Sequence, residues 1–435
     1  RDAARARDRA FGARLLPQLS LSGTMPLYDR SIIPVVQPDG TTLFTPLQRT
    51  EASMGLTVSQ KLPFSGGTLS VSSSLDRMQV TGAQEVRTWS STPVFVTLQQ
   101  DLLRPNETRW DMRAQDVRLD LAEQQYLESR EDVALGTANA FFDLFTAQTA
   151  LHNAVTNAAV NDTLYRLNKG RFEVGKIGEN DLLQSELALL RARSAAEGAK
   201  LDYDRALSQL RLTLNVPADA PLEIVEPATV PQFDPDTALA VAQALENRSQ
   251  ERSLQLQRVQ AQRSLAEARL NNGVGASVQA SFGLNASAPE MAGVYRDLLQ
   301  AQRFSLGVQM PVWQWGVRGA EIQASEADLR SIESSARASR NQAALDARYA
   351  ALQLSQSRRT LAISAKADTV AGKRFEVAYN RYVIGKIGID NLYIAQTEKD
   401  QAVQQYLEAL RGYWTAYYRL RRVTLYDFEK GARIE

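Results

Sequence analysis

Two stretches of this 435-residue chain gather the residue types best able to bind or react. The first runs Arg171, Phe172, Glu173, Val174, Gly175, Lys176, Ile177, Gly178, Glu179, Asn180, Asp181, Leu182. The second runs Arg381, Tyr382, Val383, Ile384, Gly385, Lys386, Ile387, Gly388, Ile389, Asp390, Asn391, Leu392. Both read Arg-aromatic-x-(Val/Ile)-Gly-Lys-Ile-Gly, then an acidic or amide cluster, then leucine. Gly-Lys-Ile-Gly has the G-x-x-G form of a KH-domain loop that clamps nucleic acid, but that loop needs a compact setting, and long helical patterns flank it here. It is not a P-loop, because no Ser or Thr follows the lysine. The chain has no cysteine, which excludes thiolate metal sites and cysteine nucleophiles. Its single histidine, His152, speaks against a histidine metal site or a Ser-His-Asp triad, and reads as a partly solvated helix residue. No catalytic constellation remains: the expectation is a protein that is not an enzyme, with no metal and no cofactor. A net charge of +1 gives no electrostatic footprint for a nucleic-acid partner.

The elements that must hold these stretches are helices. Upstream of the first copy, from about 106 to 168, Leu144, Ala147, Leu151, Ala154, Ala158, Asn161 and Tyr165 fall at alternating spacings of three and four. A helix of about 60 residues is roughly 90 Å long, well beyond a globular domain. A return helix runs to about Val216. The second copy repeats this order: Ile322, Leu329, Ile332, Ala336 and Ala343 mark a long stripe before it, and Val403, Tyr406, Leu410, Tyr413, Tyr417 and Leu420 mark a shorter one after it. Paired glycines tolerate the left-handed backbone that ends a helix, and Asn180-Asp181 and Asp390-Asn391 are expected to cap the next one. Each copy thus reads as the tip of an antiparallel helical hairpin, and near-identical tips half a chain apart predict an internal repeat.

The remaining segments alternate. Leu19 and Leu21; Met54, Leu56 and Val58; Leu69 and Val71; Val94, Val96 and Leu98; Val278, Ala280, Phe282 and Leu284; and Phe304, Leu306, Val308 and Met310 each face away from small polar residues, chiefly Ser, Thr, Gly and Gln. That code fits strands with lipid outside and a wet lumen inside, with Trp313 and Trp315 as interface aromatics. Residues 24 to 50, rich in proline and holding Asp39-Gly40, read as a loop. A helix is expected from 237 to 270. No run approaches the length of a membrane-spanning helix, which says nothing against spanning strands. Four to six strands per chain are too few to close a barrel, since known ones start at about eight, so several chains must share one. Stripes this narrow suit a thin wall with water on both sides.

The organisation expected is therefore a first repeat over 1–216 (strands within 13–104, helical hairpin 105–216), a proline-rich linker over 217–236, and a second repeat over 237–435 (strands within 275–313, hairpin 314–428). The two repeats form one intertwined domain. The opening on Arg1-Asp2-Ala3-Ala4-Arg5, already helical in pattern, leads us to expect that an N-terminal piece has been removed.

With tips, strands and long helices in place, the chain resembles the TolC-like outer-membrane efflux protein family over nearly its whole length. The duplicated Arg-aromatic-x-(Val/Ile)-Gly tip followed by Asp/Asn-Leu is among that family's more specific patterns. The resemblance implies a mostly α fold with a membrane β part: a homotrimeric outer-membrane β-barrel continued by a long periplasmic α-helical coiled-coil barrel. It implies a passive exit duct of a tripartite efflux or type I secretion system, reaching from outer-membrane lipid into the periplasm, where an adaptor and an inner-membrane pump dock. The alternative is a non-channel coiled-coil scaffold with a small soluble sheet. By the resemblance, Arg171, Val174, Gly175, Gly178, Arg381, Ile384, Gly385 and Gly388 are docking positions, and Asp181, Tyr382, Asn180, Ile387, Asp390 and Asn391 line the gate. A bond between Tyr382 and Asp181 would tie neighbouring hairpins. Two departures stand out: Ile387 replaces a locking arginine, and the acidic ring falls on Asn391 and Ile394, with Asp390 one position away. A strand pair near 53–62 and 67–75 exceeds the family's usual complement and, if in the wall, gives a trimer eighteen strands.

Overall fold

The computed structural model describes residues 1–81, 85–217, 219, 221–225, 230–231 and 233–434. It divides into two compact units, residues 1–123 with 252–337 and residues 124–251 with 338–435.

The first unit holds one antiparallel sheet of six strands in sequence order: β1 (Gln18–Val36), β2 (Thr42–Lys61), β3 (Thr68–Thr81), β4 (Val86–Leu102), β5 (Gly275–Ala288) and β6 (Leu299–Gln309). Both members of the extra strand pair, β2 and β3, lie inside this sheet. The register sets Leu19, Val58, Val71, Val96 and Phe282 in one row and Ser20, Thr57, Ser72, Phe95 and Gly283 in a row on the other face. Apolar side chains of the first face are open, with Leu21 71% and Phe304 73% exposed. A contiguous exposed apolar face of this kind marks a surface that meets something other than water. On the second face, Phe95 lies directly over Gly283, where any Cβ would collide with its ring.

Residues 24 to 50 are not a loop. β1 and β2 continue through them, and the turn is confined to Gln37–Thr41, closed by Gln37 N–H to the Thr41 carbonyl at 2.7 Å. The prolines are tolerated because β1 is an edge strand, with a register shift around Pro26, while Pro46 lies beyond the last residue of β2 that pairs with β3. Asp39 accepts from the Thr41 amide and hydroxyl, a turn-forming contact that holds its carboxyl below the usual range.

Among the described residues there are also seven α-helices, α1 (Asp2–Arg14), α2 (Glu107–Glu173), α3 (Glu179–Leu214), α4 (Thr237–Asn247), α5 (Ser249–Asn271), α6 (Val317–Val383) and α7 (Ile389–Thr424), with a short 3-10 turn at Met291–Tyr295 and a two-stranded hairpin of Tyr426–Asp427 with Ala432–Arg433. The two long helices are equal in length at 67 residues, and the two return helices at 36. The single helix expected over 237–270 is broken at Arg248, whose backbone is extended. The break is stabilised from another helix: Glu128 on α2 accepts from the Ser249 amide and hydroxyl, both at 2.9 Å, capping the start of α5.

In the second unit, α3 returns along α2 through Ala140, Leu144 and Leu210, and α7 along α6 through Ala350, Leu354, Leu410 and Tyr413. The seam read from the sequence is carried by buried Leu144, Asn161, Leu410, Tyr413, Tyr417 and Leu420. Part of the 217–236 segment folds onto this core: Val230 and Phe233 pack against it, and the Tyr413 hydroxyl donates to the Pro231 carbonyl at 2.6 Å. Positions 218, 220, 226–229 and 232 of the expected linker lie outside the described residues.

Candidate functional site at the helix tips

Each tip is built by its backbone. At the first, Lys176 N–H reaches the Arg171 carbonyl at 2.8 Å and Gly175 N–H the Phe172 carbonyl at 2.9 Å, with Gly175 at φ +72°. At the second, Lys386 to Arg381 and Gly385 to Tyr382 repeat these distances, with Gly385 at φ +71°. This 6→1 and 5→2 pattern is a Schellman closure, which needs a left-handed residue and so explains the first glycine of each pair. The second glycine does different work. Gly178 and Gly388 are extended, at φ −79° and −74°, and are themselves the N-caps of α3 and α7, with no side-chain cap. The expectation that Asn180-Asp181 and Asp390-Asn391 cap these helices is corrected accordingly. They lie in the first turn, where Asp181 and Asp390 favour the positive helix end.

At the tips, polar contacts of Arg171, Gln184 and Tyr382 join the two hairpins. Arg171, from the first tip, donates to the Val383 carbonyl at 2.9 Å and lies over the Tyr382 ring at 5.2 Å, so it caps the C-terminal end of α6. Gln184 on α3 donates to Asp390 at 2.7 Å. The Tyr382 hydroxyl, buried, donates to Asn168 Oδ1 at 2.5 Å. Within the chain, therefore, Tyr382 is joined to Asn168 and not to Asp181, which makes no hydrogen bond or ion pair among the described residues. Below these contacts Leu164, Tyr382, Ile389 and Leu392 form an apolar cluster, against which Ile387 packs. The isoleucine standing where an arginine lock was expected thus contributes to packing. Asn180, Asn391, Arg381 and Lys386 are exposed, as are Val174 at 67% and Ile384 at 68%. A Cβ at Gly175, Gly178, Gly385 or Gly388 would meet nothing within 4 Å.

Asn168 and Gln184 were not singled out from the sequence. Asn168 was within reach: the seam that runs to Tyr165 lands next on 168, and an amide at a seam position specifies pairing. Gln184 carried no such signal.

Higher in the same unit, a groove of about 770 Å³ lies between α2, α3 and α7. Asn157, Asn161, Tyr393 and Asp400 line it, and the side-chain oxygens Asn161 Oδ1 and Tyr393 Oη have no hydrogen-bond partner among the described residues. Burial pushes the Tyr393 phenol above its usual range, with Tyr382 adding to the shift. These groups can accept donors from a guest entering between the hairpins.

Comparison with known proteins agrees with this geometry. Residues 46–216 match the model of the outer membrane efflux protein family. Among curated proteins, Protein CyaE of Bordetella pertussis is 26% identical over 222 residues, which cover 50% of this chain and 46% of that protein. The matched part thus spans about half the length of that relative. Solved structures match over nearly the whole chain. The Campylobacter jejuni CmeC outer membrane channel superposes with a TM-score of 0.69 at 16% identity, covering 100% of this chain and 82% of that one. The Vibrio cholerae outer membrane protein VceC gives 0.68 at 14% identity, covering 100% and 91%. The open state of the Neisseria gonorrhoeae MtrE outer membrane channel gives 0.65 at 14% identity, covering 100% and 84%. The sequence-level resemblance to TolC-like proteins therefore holds in the match of residues 46–216 to the outer membrane efflux protein family and in the fold, which is that of solved outer membrane channels.

Proposed function

We propose that three copies of this chain form the exit duct of a tripartite efflux or type I secretion system. One observation carries the reading: a six-stranded sheet with an exposed apolar face, a Ser/Thr-rich opposite face and two unpaired edges, β1 and β6. Open strand edges are not tolerated in hydrocarbon. Pairing β6 of one copy with β1 of the next satisfies both, and three copies give an eighteen-stranded wall. The Ser/Thr face then lines a water-filled lumen, and the duct is passive.

Cysteines placed at Leu56, Leu69 and Val71 in a Cys-free background test the wall. All three are expected to react with a lipid-phase label and to resist an aqueous one. Ready aqueous labelling at all three would refute the barrel.

A periplasmic adaptor, and with it an inner-membrane pump, engages the tips. The open space beside Gly178 and Gly388 and the unpartnered oxygens of the α2–α3–α7 groove support this, since both admit a helical hairpin bearing donors. Gly178→Trp and Gly388→Trp point into open space at backbone angles any residue adopts. They are expected to block adaptor binding in a pull-down while thermal stability stays at the wild-type value. Undiminished binding by both variants would remove the tips from the contact.

Arg381 holds the motif position of Arg171 yet makes no hydrogen bond or ion pair among the described residues. In a ring of alternating hairpins its equivalent target is the α2 C-terminus of the neighbouring copy, near Phe172 and Glu173. Arg381→Ala is therefore expected to lower the dissociation temperature of the trimer while leaving the helical content unchanged. Arg171→Ala, which acts within one chain, should instead loosen the tip, read as faster amide exchange at Val383–Lys386. Identical behaviour of the two variants would argue against the inter-copy role.

A further inference from the structure

The strand register sorts the charges of the sheet by face. Beyond the apolar band, where β1 to β4 run on past Met54, Leu75 and Ser91, successive rows on the outward face read Ala52–Arg77–Trp89, then Tyr28–Thr50–Gln79–Arg87, then Arg30–Gln48–Thr81. Rows on the opposite face read Ser53–Asp76–Ser90, Leu27–Glu51–Met78 and Asp29–Arg49–Val80. Three arginines thus stand on the outward face, and three carboxylates, Asp29, Glu51 and Asp76, on the inward one. Arg49, the inward arginine, is paired with Glu51.

The outward arginines are poorly satisfied by the protein. Arg77 lies over the Trp89 ring at 5.5 Å and donates to Gln79 Oε1 at 3.1 Å, but its Nε is buried without a partner among the described residues. It has no carboxylate partner among the described residues. Arg87 has Glu85 at 3.8 Å, a loose pair with both side chains more than half exposed. Gln79 in turn donates to Glu85 Oε1 at 2.7 Å. Arg30 is exposed and makes no ion pair among the described residues. A buried guanidinium N–H with no acceptor lacks a partner that the chain itself does not supply, and a fork of N–H donors matches phosphate oxygens. Aromatic residues such as Trp89 and Tyr28 mark the headgroup level of a membrane wall.

We propose that this outward patch binds the phosphate groups of a phosphorylated glycolipid of the outer leaflet, lipid A in type, with Arg77 and Arg87 as the principal anion-binding side chains and Arg30 at the rim. The acyl chains would lie along the apolar rows below, from Met54 to Val58 and Leu69 to Leu75. The proposal rests on the membrane-wall reading above.

The test uses the assembled full chain in nanodiscs containing either bisphosphorylated lipid A or its dephosphorylated form, with bound lipid counted by native mass spectrometry. Wild type is expected to retain the phosphorylated lipid, and Arg77→Gln with Arg87→Gln to weaken retention roughly tenfold or more. Arg49→Gln, on the inward face, should retain lipid like wild type. Millimolar inorganic phosphate should not displace it, because the acyl chains contribute. Full retention by the double variant, equal loss in Arg49→Gln, or complete displacement by inorganic phosphate would each overturn the proposal. Flotation with liposomes separates the two readings: a chain that does not insert refutes the wall itself, and the lipid site with it.

Discussion

Replacing Glu131 by alanine is expected to destabilise the chain by about 3 kcal/mol or more, because it breaks a buried ion pair from one side only. The Glu131 side chain on α2 is 4% exposed and receives Arg421 Nε at 3.1 Å. Arg421, near the end of α7, also reaches Asp427 at 3.2 Å and the Tyr417 hydroxyl at 3.4 Å, and its guanidinium stands over the Tyr417 ring at 5.7 Å. Removing Glu131 leaves that guanidinium in an apolar setting with a single carboxylate. The neighbouring Arg422–Asp132 pair is the control. Its distance is similar at 2.8 Å, but Asp132 is 51% exposed, so Asp132→Ala should cost about 1 kcal/mol or less. Thermal or denaturant unfolding of both variants decides it, and equal losses would mean that the Glu131 pair is no better than a surface contact.

Tyr382→Phe is expected to raise the conductance of the resting channel in planar bilayers. The substitution removes the hydroxyl from a fully buried Asn168, whose Nδ2 already lacks a partner, and leaves both ends of that amide unsatisfied. Such a loss costs about 1–3 kcal/mol per copy, and three copies acting together would shift a closed state toward opening by at least tenfold. Asn168→Leu, which removes the polar group along with its need for a partner, should lower the barrier less. Asp181→Ala should add to Tyr382→Phe, because Asp181 has no bond to Tyr382 within the chain and would act between copies. Wild-type conductance in Tyr382→Phe, with the assembly intact, would place the gate elsewhere.

Much of this arrangement was legible in the residues themselves. Period-two segments with one Ser/Thr face announced the strands, and the three-four seams announced the long helices, since both patterns follow from which face must avoid water. Prolines misled at residues 24 to 50: proline breaks a central strand, but β1 is an edge, and position in a sheet is not written locally. The break at Arg248 was equally hidden, because its cap comes from Glu128, more than a hundred residues away in sequence. At the tips, glycine spacing revealed the turns, yet it did not distinguish the left-handed Gly175 and Gly385 from the extended Gly178 and Gly388. Composition alone suggested that the acidic residues cap. The backbone instead gives that position to glycine and leaves the carboxylates in the first turn, where Asp390 accepts from Gln184.

The open edges of the sheet also bear on how such a wall is made. A lone chain carrying unpaired β1 and β6 into hydrocarbon would expose a row of backbone amides and carbonyls along each edge. Insertion and oligomerisation cannot then be separate events, and the insertion step should depend steeply on chain concentration. Chains reaching the membrane singly would wait at its surface, where a protein that lends a temporary strand to either edge would speed their entry. A variant with a proline in β6 would, by the same reasoning, poison the assembly of its wild-type siblings.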